Sequence, residues 1–207
     1  MTLAKRIVPV ILVRGKTAYK GPGFGSACTR SIGSAIAVCR THARRGVDEI
    51  AILDIAATAE NRGPDLEMVR ELSAGCFIPI TVGGGVKTLQ DIDDLLRAGA
   101  DKVSIGHAAA EPLISAASAR FGRQAIVVSL DVRHTDSTHA VQAAQCFESW
   151  GAGEILLQRV ERDGTLEGYD LPLIRQVSAA VGVPVIASGG CRDYADMVAA
   201  FAAGADA

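Results

Sequence analysis

Short apolar runs alternate with amphipathic stretches of helical period along the whole chain. The apolar runs are Arg6–Val13 (RIVPVILV), Glu49–Ile55, Phe77–Val82, Lys102–Ile105, Ala125–Asp131, Glu154–Val160 and Val183–Ala187. They are rich in Ile, Val and Leu and short enough to be buried strands. The stretches between them read as helices over Ser34–Gly46, Asp65–Ala74, Leu89–Ala98, Ala108–Phe121, about Ala140–Trp150 and within Leu171–Val181, with a last one ending near Ala203. Arg14–Ser31 is glycine-rich, shows no period and reads as a long mobile loop. Alternating strands and helices with short connections make a parallel sheet covered on both faces, either doubly wound or closed as a (βα)8 barrel.

An internal repeat decides between the two. Glu49–Asp101 and Glu154–Asp206 align without a gap at an offset of 105 residues, with 16 identities in 53 pairs. The identities include Gly63/Gly168, Asp65/Asp170, Arg70/Arg175, Gly84/Gly189, Gly85/Gly190 and the run Ala98–Asp101 against Ala203–Asp206. A doubled βαβα unit closes naturally into a barrel of two halves. The expected fold is therefore one α/β domain over 1–207, a (βα)8 TIM barrel built from two half-barrel repeats. The chain reaches Ala207 where an eighth strand should begin, so the barrel is expected to be truncated before its eighth βα unit. Barrels of this type run to roughly 250 residues.

Composition narrows the partners. A net charge of −2 gives no reason to expect nucleic acid or an acidic membrane surface. No apolar run approaches the ~20 residues of a membrane span. Five cysteines at no metal-binding spacing (Cys28, Cys39, Cys76, Cys146, Cys191) and no signal peptide suggest free thiols in the cytoplasm. No metal and no cofactor are implied. His42, His134 and His139 lack ligand spacing and are expected to face solvent, and Cys76 to lie in the core.

In such a barrel the chemistry sits where the strands end. The residues expected at that rim are Leu12, Asp54, Gly83–Gly85, Gly106, His107, Asp131, Gln158, Asp163, Gly164 and Ser188–Gly190. Two strands end in glycines, at Gly84–Gly85 and Gly189–Gly190, and bare amides there could cradle phosphates. Tight turns alone would also explain those glycines; the matched pair favours a substrate with a phosphate at each end, held in one shared cavity. Asp131 closes a wholly apolar strand, where a carboxylate is costly unless it serves a polar site, so it is the acid/base candidate. A turn-capping role is its alternative. Asp54 has the same placement. The Gly21–Gly25 run departs from a dinucleotide loop and reads as a lid, with Lys20 able to close over substrate.

The segments VDEIAILDIAAT, FIPITVGGGVKT, RFGRQAIVVSLDV and WGAGEILLQRVERDGTLEGYDLPLIRQVS resemble the cyclase subunit of imidazole glycerol phosphate synthase over nearly the whole chain. The resemblance implies a barrel that takes ammonia from a glutaminase subunit docked on its N-terminal face. It would use that ammonia to convert a bis-phosphorylated ribonucleotide to imidazole glycerol phosphate and an aminoimidazole carboxamide ribotide, in histidine biosynthesis. It implies one phosphate site at Gly85, Gly106 and His107 and another at Asp163, Gly164 and Gly190. It also implies an ammonia entrance ringed by Arg6, Glu49, Lys102 and Glu154.

The family's cyclases use an aspartate on the first strand as well as the one matched by Asp131. Here the first-strand position is Leu12, which can neither take nor give a proton. Gly106 stands for the family's asparagine, Gln158 for its threonine, and the hairpin after the fifth strand is shortened to Arg133–Ala140. Leu12, with the segments AGCFIP and GGGVKT, resembles a paralogous branch linked to amidation of bacterial surface sugars. Three expectations follow: a cyclase subunit, a paralogue that passes ammonia to another acceptor, or a non-catalytic scaffold that activates a glutaminase.

Overall fold

The structure, a computed structural model, describes residues 4–22, 30–106, 108–133 and 137–207. Among the described residues, seven parallel strands follow one another around the sheet: β1 (Val10–Arg14), β4 (Ile50–Asp54), β5 (Ile80–Gly83), β6 (Lys102–Ile105), β7 (Ile126–Val132), β8 (Glu154–Arg159) and β9 (Val185–Ser188). Helices α1 (Ala35–Arg44), α2 (Leu66–Ser73), α3 (Leu89–Ala98), α4 (Glu111–Phe121), α5 (Ser137–Ser149), α6 (Leu171–Ala180) and α7 (Tyr194–Ala202) alternate with them. Strand order never reverses, which is the winding of a (βα)8 barrel; a doubly wound sheet would turn back at a switch point.

Arg14–Ser31 departs from the expected loop. Thr17–Lys20 (β2) and Arg30–Ser34 (β3) form an antiparallel hairpin hung on β1, with Leu12 opposite Tyr19 and Arg14 opposite Thr17. The glycine that suggested a loop at Gly15 instead makes the turn, at φ +54°. Beyond it Thr17-Ala18-Tyr19 carries the β-branched and aromatic side chains that favour strand. The lid expected from Gly21–Gly25 lies mostly outside the described residues, as do Cys28, His107 and His134.

The sequence repeat is also a repeat of contacts. Asp65 and Asp170 each cap a helix, accepting from Met68 N (3.0 Å) and Leu173 N (3.2 Å). Asp101 and Asp206 each accept from the first amide of the strand before them, Ile80 N (2.8 Å) and Val185 N (3.2 Å). Gly99 and Gly204 end α3 and its counterpart α7 against Ser73 and Ser178. The identities thus sit where one βα unit is tied to the next.

Closure occurs at the floor. Asp206 N donates to Val185 O (2.8 Å) and Ala187 N to Ala207 O (2.8 Å), while Arg6 N donates to Asp206 O (3.1 Å). Ala205–Ala207 thus run between β9 and the segment entering β1. Aliphatic side chains, including Ile52, Leu95, Ile105 and Ile126, fill the layer between sheet and helices. Cys39 and Cys76 are buried in that layer, Cys76 as expected. A smaller cluster of Val127, Leu156 and Ile186, with Leu53 and Ala207 against it, fills the barrel interior. Among the described residues no helix is long and apolar enough to cross a membrane.

Candidate functional site

Side chains on one face of a strand recur every second residue. On β8 this places Glu154, Leu156 and Gln158 in one file, with Leu156 in the interior cluster. Glu154 therefore belongs to the floor, and Gln158 to the mouth.

At the floor four charges alternate in a closed ring. Arg6 Nη1 reaches Glu49 Oε2 (3.0 Å) and Glu154 Oε1 (2.9 Å). Lys102 Nζ reaches the same two oxygens at 2.9 and 3.0 Å. Thr81 Oγ1 donates to the other oxygen of Glu49 at 2.6 Å, whereas Glu154 Oε2 is buried without a partner among the described residues. Each cation is shared by two carboxylates, so no charge is buried alone. The four residues singled out in the sequence come together in one ring.

At the mouth, a cleft of about 290 Å3 is lined by Asp54, Gly84, Gly85, Lys87, Gly106, Ser129 and Asp131, among others. Asp131 faces it and is open to water at the rim. The surrounding wall still removes enough water to push its carboxyl above the ordinary value, against the opposing pull of the Ser129 hydroxyl (3.1 Å) and Arg133. Asp54 is engaged elsewhere. Its Oδ1 accepts from Ala56 N (3.0 Å) and Ala57 N (3.2 Å), and its Oδ2 pairs with Arg62 at 2.7 Å. That carboxylate is consumed in holding the loop beyond β4.

The glycine turns match in both halves. A side chain at Gly84 would strike the Asp54 carbonyl, and one at Gly189 the carbonyl of Arg159, the residue 105 positions on from Asp54. Gly85 (φ +73°) packs against Arg62 O and Gly63; Gly190 (φ +99°) packs against Gly168 and accepts from Gly168 N at 2.8 Å. Both turns combine left-handed backbone with close approach, which only glycine allows. The following helix starts are not anion sites. Lys87 N and Thr88 N donate to Asp91 at 2.9 and 2.8 Å, and Arg192 N donates to Asp196 at 2.9 Å. Any phosphate must sit on the glycine loops themselves, ahead of these carboxylate caps.

Gly189, Gly190, Asp163 and Gly164 line a second, larger cleft of about 650 Å3. It runs down the wall between β9 and the strand-one segment Arg6–Val10, reaching Ala207. Burial pushes the Asp163 carboxyl upward. Gly85 and Gly190 therefore open onto separate clefts, where one shared cavity was expected. His42, expected in solvent, is half-buried beside that cleft. Leu12 is buried, with Tyr19 and Leu53 beside it in register across the sheet. Sequence reasoning passed over Lys87, Ser104 and Ser129; Ser129 was accessible to it, since it stands two residues before Asp131 on the same strand face.

Residues 6–207 match the histidine biosynthesis protein family. The imidazole glycerol phosphate synthase subunit HisF of Streptomyces avermitilis is 44% identical, over 100% of this chain and 88% of the relative. That of Streptomyces coelicolor is 43% identical with the same coverage. That of Hyphomonas neptunium is 44% identical over 96% of this chain and 84% of its own.

Proposed function

The chain belongs to the histidine biosynthesis protein family, and from that premise we propose that it is the ammonia-accepting synthase subunit of a glutamine amidotransferase. Its reaction is that of an imidazole glycerol phosphate synthase cyclase: a bis-phosphorylated ribonucleotide plus ammonia gives imidazole glycerol phosphate and an aminoimidazole carboxamide ribotide. The observation that carries this reading is the closed ring of Arg6, Glu49, Lys102 and Glu154 beneath a mouth with two matched glycine cradles.

In this reading a glutaminase subunit docks on the floor and ammonia enters through the ring. Parting one cation from its two carboxylates opens the way, and Lys102, held by a flexible ammonium stem, is the member best built to swing. The lumen above the ring is lined by Val127, Leu156 and Ile186, which hold no proton for ammonia to take. One phosphate lies at Gly84, Gly85, Gly106 and His107, the other at Asp163, Gly164, Gly189 and Gly190. Asp131 supplies the acid/base group, its raised pKa bringing it nearer the working pH of a proton carrier.

A second reading rests on Leu12. A buried leucine stands at the strand-one position where a second acid/base group is needed, so the barrel would pass ammonia on to another acceptor, such as a sugar amidotransferase. Purified barrel, ammonium chloride at high pH and the ribonucleotide separate the two. Turnover supports the cyclase. Absence of turnover that Leu12→Asp restores points to a lost proton carrier and the ammonia-passing role. Absence in both proteins, with stimulation of a glutaminase intact, rejects the cyclase in favour of a scaffold.

A further inference from the structure

Gln158 is 1% exposed, and among the described residues neither its Nε2 nor its Oε1 has a hydrogen-bond partner. A buried carboxamide left unpaired is costly, and native proteins tolerate few such groups. Its position explains what it waits for. In register, Gln158 lies beside Asp131 on β7 and beside Ser188 on β9. Asp131 lines the first cleft and Ser188 the second, so Gln158 is the septum between the two glycine cradles. Any single ligand that fills both cradles must pass over it.

We propose that Gln158 determines specificity by hydrogen-bonding the uncharged middle of a ligand that spans both clefts; the proposal rests on the bis-phosphate reading above. A carboxamide offers two N–H donors and a carbonyl acceptor and carries no charge at any working pH. Its complement is a neutral group with both a donor and an acceptor, above all a primary carboxamide, which can return one bond of each kind. In the free protein the amide is sealed between the clefts. Occupation of both cradles joins them and gives it partners, so the cost of the unpaired group is relieved only by the full-length ligand. Neither inorganic phosphate nor a ligand that fills one cradle reaches it.

Titration calorimetry on wild type, Gln158→Leu and Gln158→Glu tests this, with a carboxamide-bearing bis-phosphorylated ribonucleotide as probe and inorganic phosphate as control. Gln158→Leu is expected to weaken the ribonucleotide about tenfold or more, leave phosphate binding unchanged and not lower Tm, since an apolar side chain of like size removes the unpaired group. Gln158→Glu is expected to weaken the ribonucleotide further, by setting a carboxylate between two phosphates. Equal ribonucleotide affinity in wild type and Gln158→Leu overturns the proposal. So does a joint loss of Tm and of phosphate binding, which would mark Gln158 as structural. A wild type that binds phosphate and not the ribonucleotide would instead sink the bis-phosphate reading, and this inference with it.

Discussion

Two aspartates at the upper ends of barrel strands meet opposite fates. Asp54 is spent on two loop amides and Arg62, while Asp131 keeps its carboxyl for the cleft with the Ser129 hydroxyl beside it. Both close an apolar strand, with Asp131 the favoured acid/base candidate from the sequence, and the loop beyond β4, which folds its amides back onto Asp54, separates them in the structure. Asp131→Asn is expected to lower ammonia-dependent turnover by about 10²- to 10⁴-fold, measured by steady-state kinetics. Its stability effect has the other sign. The folded pKa is raised above the ordinary 3.8, so the charged form carries a cost that is present at neutral pH and fades as pH falls through the folded value toward 3.8. Melting curves should therefore show Asp131→Asn more stable than wild type at pH 7, with the gain gone below about pH 4.

At the scale of elements, the glycine turns are the best guide to the site. Gly85 and Gly190 hold φ of +73° and +99° against neighbouring backbone. Alanine at either is expected to cost more than about 1–2 kcal/mol of stability from backbone conformation alone, read in denaturant melts. Phosphate affinity should fall with it, because the loop must shift. Strand and helix order was legible because the runs of β-branched residues are followed by helical periods, some opened by a capping side chain such as Thr88 before α3. The β2–β3 hairpin was not legible, since its glycine-rich connection masks the short strand pattern of Thr17–Lys20. The helix starts also misled: two glycine turns next to helices suggested anion sites there, yet Asp91 and Asp196 already occupy those amides.

The whole molecule joins a floor to a mouth. The floor was readable through the family resemblance, which implies Arg6, Glu49, Lys102 and Glu154 as a set, and the four do meet in one ring. What the sequence could not convey is how the two cradles relate, since that depends on the wall between β9 and β1 and on a single buried glutamine. The ring is also structural. Lys102→Ala leaves two carboxylates sharing Arg6 alone, and breaking a buried pair costs about 3–5 kcal/mol. A thermal melt should show that loss, and Glu49→Gln with Lys102→Met together should lose less than the two single changes summed. The function proposed above turns, at this scale, on one doubly phosphorylated guest at the mouth. A crystal structure of the chain with the bis-phosphorylated ribonucleotide tests it directly: one phosphate is expected on the Gly85–Gly106 loops and the other on the Gly164–Gly190 loops, with the ligand crossing Gln158. A ligand held by one cradle alone, or bound away from both, would contradict it.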